Sequence, residues 1–247
     1  MAKMSKHGSG SPEIGQRQLK IRVKSTKKRT LASRRWLERQ LNDPYVAAAQ
    51  REGWRSRAAY KLMELDDKLN FLKPGHRVID LGAAPGGWSQ LAADRVKSTE
   101  ILGEQGQVIA IDISEMEAIP GVVILHLDFM ADEAPNLLIS LLRGGRADVV
   151  LTDMAAPASG HTRTDHMRIM GLAEAAGAFA AEVLAPGGVF VAKVLQGGTE
   201  RELLNQLKRD FASVKHVKPP ASRADSAELY VVATGFRGGD SADEQSE

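Results

Sequence analysis

Six short runs dense in Val and Ile recur along the chain, at 77–81, 107–113, 122–127, 148–152, 189–195 and 229–236. Helix-length segments lie between most of them, at 88–98, 131–143, 165–184 and 199–211. Near-continuous apolar strands alternating with helices demand a mostly parallel sheet covered on both faces, because a strand exposed on one side would alternate polar with apolar residues. Upstream, Trp36 to Leu72 reads as helical, with Tyr60, Met63, Leu65 and Leu69 at steps of two to four residues, and Lys73-Pro74-Gly75 ends the run.

The formal charge of +2 over 247 residues hides two opposed parts. Residues 1–60 carry 15 Lys and Arg against 4 Asp and Glu, a net of +11, and the remainder carries 18 against 27, a net of −9. Residues 1–50 are therefore set apart as a basic arm, flexible at least to residue 33; 51–237 form the α/β domain, and 238–247 a disordered tail. The arm suits nucleic acid, a solubilising tail or an organellar transit peptide. Nucleic acid is favoured because the basic character runs on through Arg51, Arg55 and Arg57. The absence of Cys removes disulfides, thiolate metal sites and Cys nucleophiles, and the histidines show no ligand spacing, so no metal is expected. No apolar run reaches 18 residues and the N-terminus has no signal-like core, so the expected location is cytoplasmic, away from membranes.

Ligands of open parallel sheets bind beyond the carboxyl ends of the strands. After the first run comes Asp80-Leu81-Gly82-Ala83-Ala84-Pro85-Gly86-Gly87-Trp88, a small-residue loop that lets a ligand approach the backbone. It lacks the G-x-G-x-x-G spacing of dinucleotide folds, which suits a nucleoside without a pyrophosphate. Asp112 after the second run would accept two ribose hydroxyls, and Asp128 after the third would face an adenine amino group. Asp153 follows the fourth run, and Lys193 stands inside the fifth, where an unpaired lysine is costly. Glu228 opens the last run; were that strand antiparallel to the strand of Lys193, the two charges would share one edge and hold the lysine in place.

With these residues assembled, the chain resembles the FtsJ/RrmJ family of S-adenosylmethionine-dependent RNA ribose 2′-O-methyltransferases over about residues 52–236. The resemblance rests on Ser56-Arg57-Ala58-Ala59-Tyr60-Lys61-Leu62, Asp80 to Gln90, the Lys193 strand, and Ser222-Arg223 with Glu228-Leu229-Tyr230. It implies a Rossmann-like methyltransferase fold, with a mostly parallel seven-stranded sheet, one antiparallel strand and helices on both faces. It also implies a Lys-Asp-Lys-Glu tetrad of Lys61, Asp153, Lys193 and Glu228, and S-adenosylmethionine contacts from Gly86, Trp88, Asp112, Asp128 and Asp153. The loop and final motif resemble the bacterial branch, which implies a uridine of large-subunit ribosomal RNA as target, met within the 50S subunit by a monomer with no obligate protein partner. Transfer RNA is an alternative substrate. In this reading neutral Lys193 takes the hydroxyl proton; like charge from Lys61 and the sulfonium, with partial burial, would favour the neutral amine, and Asp153 and Glu228 would oppose them. A dehydrogenase is disfavoured by the missing glycine spacing. A noncatalytic RNA-binding relative is disfavoured because all four tetrad positions are filled.

Deleting residues 1–33 should preserve the fold and cofactor binding but weaken RNA binding. The slope of log affinity against log salt should become shallower by roughly 0.7 to 0.9 for each phosphate the shortened chain no longer engages. An unchanged slope would show the arm to be a bystander.

Overall fold

The structure, a computed structural model, describes residues 21–22, 31–101, 103–156, 160–196 and 201–238. Among these residues seven strands form one sheet: β1 (Arg77–Leu81), β2 (Gln107–Asp112), β3 (Val122–His126), β4 (Ala147–Thr152), β5 (Leu184–Leu195), β6 (Phe211–Val217) and β7 (Glu228–Phe236). Their order is β3-β2-β1-β4-β5-β7-β6. The first five run parallel, and β7 lies antiparallel between β5 and β6. The helices are α1 (Leu31–Leu41), α2 (Pro44–Glu52), α3 (Ala58–Leu69), α4 (Gly87–Val96), α5 (Ala134–Leu141), α6 (Thr162–Val183) and α7 (Arg201–Asp210).

Two apolar layers explain why the central strands read as continuous hydrophobic runs. Ile79, Leu81, Ile109, Val150 and Phe190 point to the side covered by α5, α6 and α7, and Val78, Val108, Val149 and Val191 to the side of α2, α3 and α4. All nine are fully buried. Burying a side chain of this kind stabilises by about 1.5–3 kcal/mol, so both faces of these strands contribute to the core. The alternation also assigns Lys193 a face. It follows Val189 and Val191 at two-residue steps on β5, which turns it toward the layer that contains α3.

The N-terminal region departs from the sequence expectation. The stretch from Trp36 to Leu72 is three helices, and a domain boundary at residue 50 would fall inside α2, whose Tyr45, Ala48 and Ala49 are buried against the α3 layer. The breaks are local chemistry: Asp43 caps α2 by accepting from the Tyr45 N–H, Pro44 opens that helix, and Gly53 closes it in the left-handed region. Helix α3 ends at Leu69, ahead of Lys73-Pro74-Gly75, because Asn70 turns left-handed and the Asp66 carboxylate accepts the N–H groups of Phe71 and Leu72. Strand β6 is not among the six sequence runs. It is an edge strand with Ala212, Lys215 and His216 exposed, so it never shows a continuous apolar pattern. Residues 1–20 and 23–30 of the basic arm, and the tail beyond Gly238, lie outside the described residues.

The first position of the turn after β1 tolerates no side chain. Gly82 has φ +71°, and a Cβ there would run into Met154 at the end of the neighbouring strand. Gly82→Ala should therefore destabilise the protein by at least about 1 kcal/mol, since strain and overlap add. Denaturant unfolding checks this, and an unchanged midpoint would contradict the reading of the turn.

Candidate active site

The carboxyl ends of β1, β2 and β4 frame a cavity of about 710 Å³. Its wall includes Gly82, Ala84, Asp112, Asp128, Asp153 and Met154. Asp112 organises this end of the sheet. One carboxylate oxygen accepts the Ala84 N–H at 2.9 Å and the other accepts the Ser114 N–H at 2.7 Å, so a single side chain fixes both the small-residue loop and the loop after β2. The N–H groups of Gly82 and Ala83 both donate to the Ile111 carbonyl, at 2.9 and 3.1 Å. Asp128 accepts the Met130 N–H at 2.9 Å and closes the far side.

Gly86 and Trp88 stand behind this cavity. Gly86 caps α4 at φ +104°, where a Cβ would press on Ile119. Trp88 is 3% exposed, donates its indole N–H to the Ala58 carbonyl at 2.8 Å, and packs its ring 5.6 Å from that of Tyr230. Of the five residues implied as cofactor contacts, Asp112, Asp128 and Asp153 line the cavity, whereas Gly86 and Trp88 shape the helix and core that support it.

The four tetrad positions converge at the cavity rim. Lys193, 5% exposed, donates to Asp153 twice: to the carboxylate at 3.1 Å and to the backbone carbonyl at 2.7 Å. Lys61, from the buried face of α3, lies 3.9 Å from the other Asp153 carboxylate oxygen and 3.2 Å from Glu228. The pairing differs from the sequence expectation in one respect. Glu228 bonds Lys61, and it is Asp153 that holds Lys193. The register is the cause: Lys193 lies opposite Tyr230, and Glu228 opposite Leu195, two residues further along.

Tyr230, which the sequence reading assigned no role, links the two halves. Its hydroxyl donates to the Asp153 carboxylate at 2.6 Å and accepts from Lys61 at 3.1 Å. Burial, and then the charge of Asp153, hold its phenol well above the usual value, so it remains a donor. Burial would by itself raise the Asp153 carboxyl. The charges of Lys193 and Lys61 and the bonds from Tyr230 and Lys193 outweigh burial and keep this carboxyl below the usual carboxylate range. The signal that could have exposed Tyr230 is period two: it shares a strand face with Glu228.

Beneath the cavity floor Asp80 is almost wholly buried, and it accepts a 2.6 Å bond from the Ser89 hydroxyl. Burial pushes its carboxyl up to about 7; the Ser89 bond opposes this, and the charges of Asp153 and Asp112 add to it.

Strand β7, slotted antiparallel between β5 and β6, separates this sheet from the all-parallel dinucleotide folds and makes it a Rossmann-like methyltransferase. The chain belongs to the FtsJ-like methyltransferase family, which matches residues 54–236. A Xanthobacter autotrophicus protein named ribosomal RNA large subunit methyltransferase E is 62% identical over 222 residues, spanning 90% of this chain and 86% of its own length. Its namesake from Parvibaculum lavamentivorans is 60% identical over 240 residues, 96% of this chain and 92% of its own. A crystal structure of a ribosomal RNA methyltransferase from Plasmodium falciparum superposes with a TM-score of 0.66 at 31% identity, covering 75% of this chain and 100% of that one.

Asp80 provides a test of the site's electrostatics. With a folded value near 7 against an unfolded value of about 3.9, the native state binds more protons than the unfolded chain between those limits. The stability contributed by protonated Asp80 is complete below about pH 4 and lost as pH rises to about 7. Asp80→Asn keeps the acceptor for Ser89 and removes the titration. Its stability relative to the parent should rise from about pH 4 to 7 and then level off; parallel profiles in denaturant unfolding would contradict the assignment.

Proposed function

We propose that this enzyme transfers the methyl group of S-adenosylmethionine to the ribose 2′-hydroxyl of a uridine in 23S ribosomal RNA, acting as a monomer on the 50S subunit in the cytoplasm. The observation that carries the reading is the meeting of Lys61, Asp153, Lys193 and Glu228 at the rim of a cavity that Asp112 and Asp128 also line. Relatives about 60% identical over nearly their whole length, named as ribosomal RNA large subunit methyltransferases, support the substrate. The lining supports the cofactor. Three carboxylates would repel a pyrophosphate, but they suit ribose hydroxyls, an amino group and a positively charged sulfur. Asp112 would hold the ribose through the lone pairs its two backbone contacts leave over, Asp128 the adenine amino group, and Asp153 the cationic end. Among the described residues no helix is long and apolar enough to cross a membrane.

When bound, S-adenosylmethionine supplies an electrophilic methyl group. The chain supplies alignment and a destination for the proton. Lys193 has two of its three positions fixed by Asp153, which leaves one for the 2′-oxygen. Lys193 rests as an ammonium beside Asp153; once that proton has passed to water, its free amine would take the proton of the 2′-hydroxyl as methyl transfer proceeds, which restores the ammonium in contact with the Asp153 carboxylate. Lys61, anchored by Glu228 and Tyr230, orients the ribose and contributes positive charge beside the developing alkoxide.

The direct experiment incubates the protein with tritiated S-adenosylmethionine and 50S subunits lacking the modification, and maps the label. Lys193→Ala should abolish transfer while cofactor affinity stays within a few fold, because the proton acceptor is removed and the cavity wall is not. Near-normal turnover in that variant would overturn the assignment of Lys193.

A further inference from the structure

Helix α6 forms one wall of the cavity of about 710 Å³ at the carboxyl ends of β1, β2 and β4, and it does so with a single face: Gly171 and Leu172 stand three and four residues after Arg168. The same stripe runs on to Phe179, eleven residues after Arg168, whose ring meets that of Phe129 edge-on at 5.6 Å. Phe179 is buried, Leu172 half-buried and Arg168 exposed, so the stripe climbs from the core beside Phe129 to the mouth of the cavity, a rise of about 16 Å. Phe129 follows Asp128 in the chain, which identifies the end of the cavity that Arg168 overlooks. A Cβ on Gly171 would meet no atom within 4 Å, so the space beside the guanidinium is open.

Arg168 is the one basic residue among the described residues of a lining that holds three carboxylates, and it makes no ion pair or hydrogen bond with any described residue. Its long side chain is therefore not spent on the protein. The carboxylates account for the hydroxyls, the amino groups and the sulfonium of S-adenosylmethionine, and what they leave unmatched is the flat face of the purine. Two large apolar side chains of the same lining, Ile113 and Met130, are 66% and 55% exposed. Apolar surface left open inside a ligand cavity suits a ring, and the guanidinium is a rigid cationic plane that stacks on such a ring, a geometry lysine lacks. From this arrangement we infer that Arg168 binds the cofactor by stacking its guanidinium on the outward face of the purine whose edge meets Asp128. The inference rests on the cofactor reading proposed above. Because the purine is common to S-adenosylmethionine and to the S-adenosylhomocysteine left after transfer, Arg168 grips both alike.

Calorimetry on the full chain tests it with three ligands: S-adenosylmethionine, S-adenosylhomocysteine, and 5′-methylthioadenosine, which keeps the purine and ribose but lacks the amino-acid end. Arg168→Met removes the guanidinium at similar length and leaves a good helix former in α6. Affinity for all three ligands should fall by the same factor, roughly 3–10-fold, with the unfolding midpoint unchanged because Arg168 has no described partner to lose. Arg168→Lys keeps the charge without the plane and should not recover the parent affinity. A loss confined to the two ligands that carry the amino-acid end would overturn the inference, since it marks a contact with their carboxylate. So would unchanged affinity for all three, whether or not KM for 50S subunits rises, and so would full recovery in Arg168→Lys or a lowered unfolding midpoint. The parent protein separates the two claims: if it binds no S-adenosylmethionine, the cofactor reading itself fails, whatever Arg168→Met does.

Discussion

One carboxylate between two buried ammonium groups organises the functional end of this protein. Asp153 lies 3.1 Å from Lys193 and 3.9 Å from Lys61 and accepts the Tyr230 hydroxyl at 2.6 Å. Two lysines 5% and 9% exposed cannot lie this close together without a counter-charge, since desolvation penalises each and their repulsion is little screened. The carboxylate meets that demand and is itself kept ionised by them. Glu228 and Tyr230 complete the arrangement by fixing Lys61 from the other side.

The cluster is possible because three strands and one helix end at one place. Parallel pairing of β4 with β5 sets Thr152 beside Ala192, so Asp153 leaves its strand next to Lys193. Antiparallel pairing of β7 puts Tyr230 opposite Lys193. Helix α3 brings Lys61 in from the layer that Lys193 faces, with Tyr60, Leu62 and Leu65 buried around it. An all-parallel sheet would deliver β7 from the opposite end, and Glu228 and Tyr230 would lie at the far edge. The reversed strand is therefore part of the site as well as part of the fold.

The central strands were legible because burial on both faces leaves an uninterrupted apolar run, and the acids at their ends were legible because position alone marks them. Asp112, Asp128 and Asp153 line the cavity as that rule implies. What pattern could not supply was register. The pairing of Glu228 with Lys61, and of Lys193 with Asp153, depends on an offset of two residues between β5 and β7 that no local composition encodes. Edge strand β6 and the breaks among the first three helices escaped for a related reason: each is decided by a tertiary neighbour or by a single capping residue such as Asp43. Trp88 was legible only through resemblance, and its indole packs on Tyr230 in the core, behind the cavity.

Mutual dependence of the buried charges is the central claim, and a double-mutant cycle on stability measures it most directly. Asp153→Asn alone leaves two buried ammonium groups without their shared counter-charge and should cost about 3–5 kcal/mol in denaturant unfolding. Adding Lys193→Met removes one of those charges at similar volume, so the double variant should be more stable than Asp153→Asn. Losses that simply add would contradict the account, because they would mean that Lys193 does not depend on Asp153 for its place in the core.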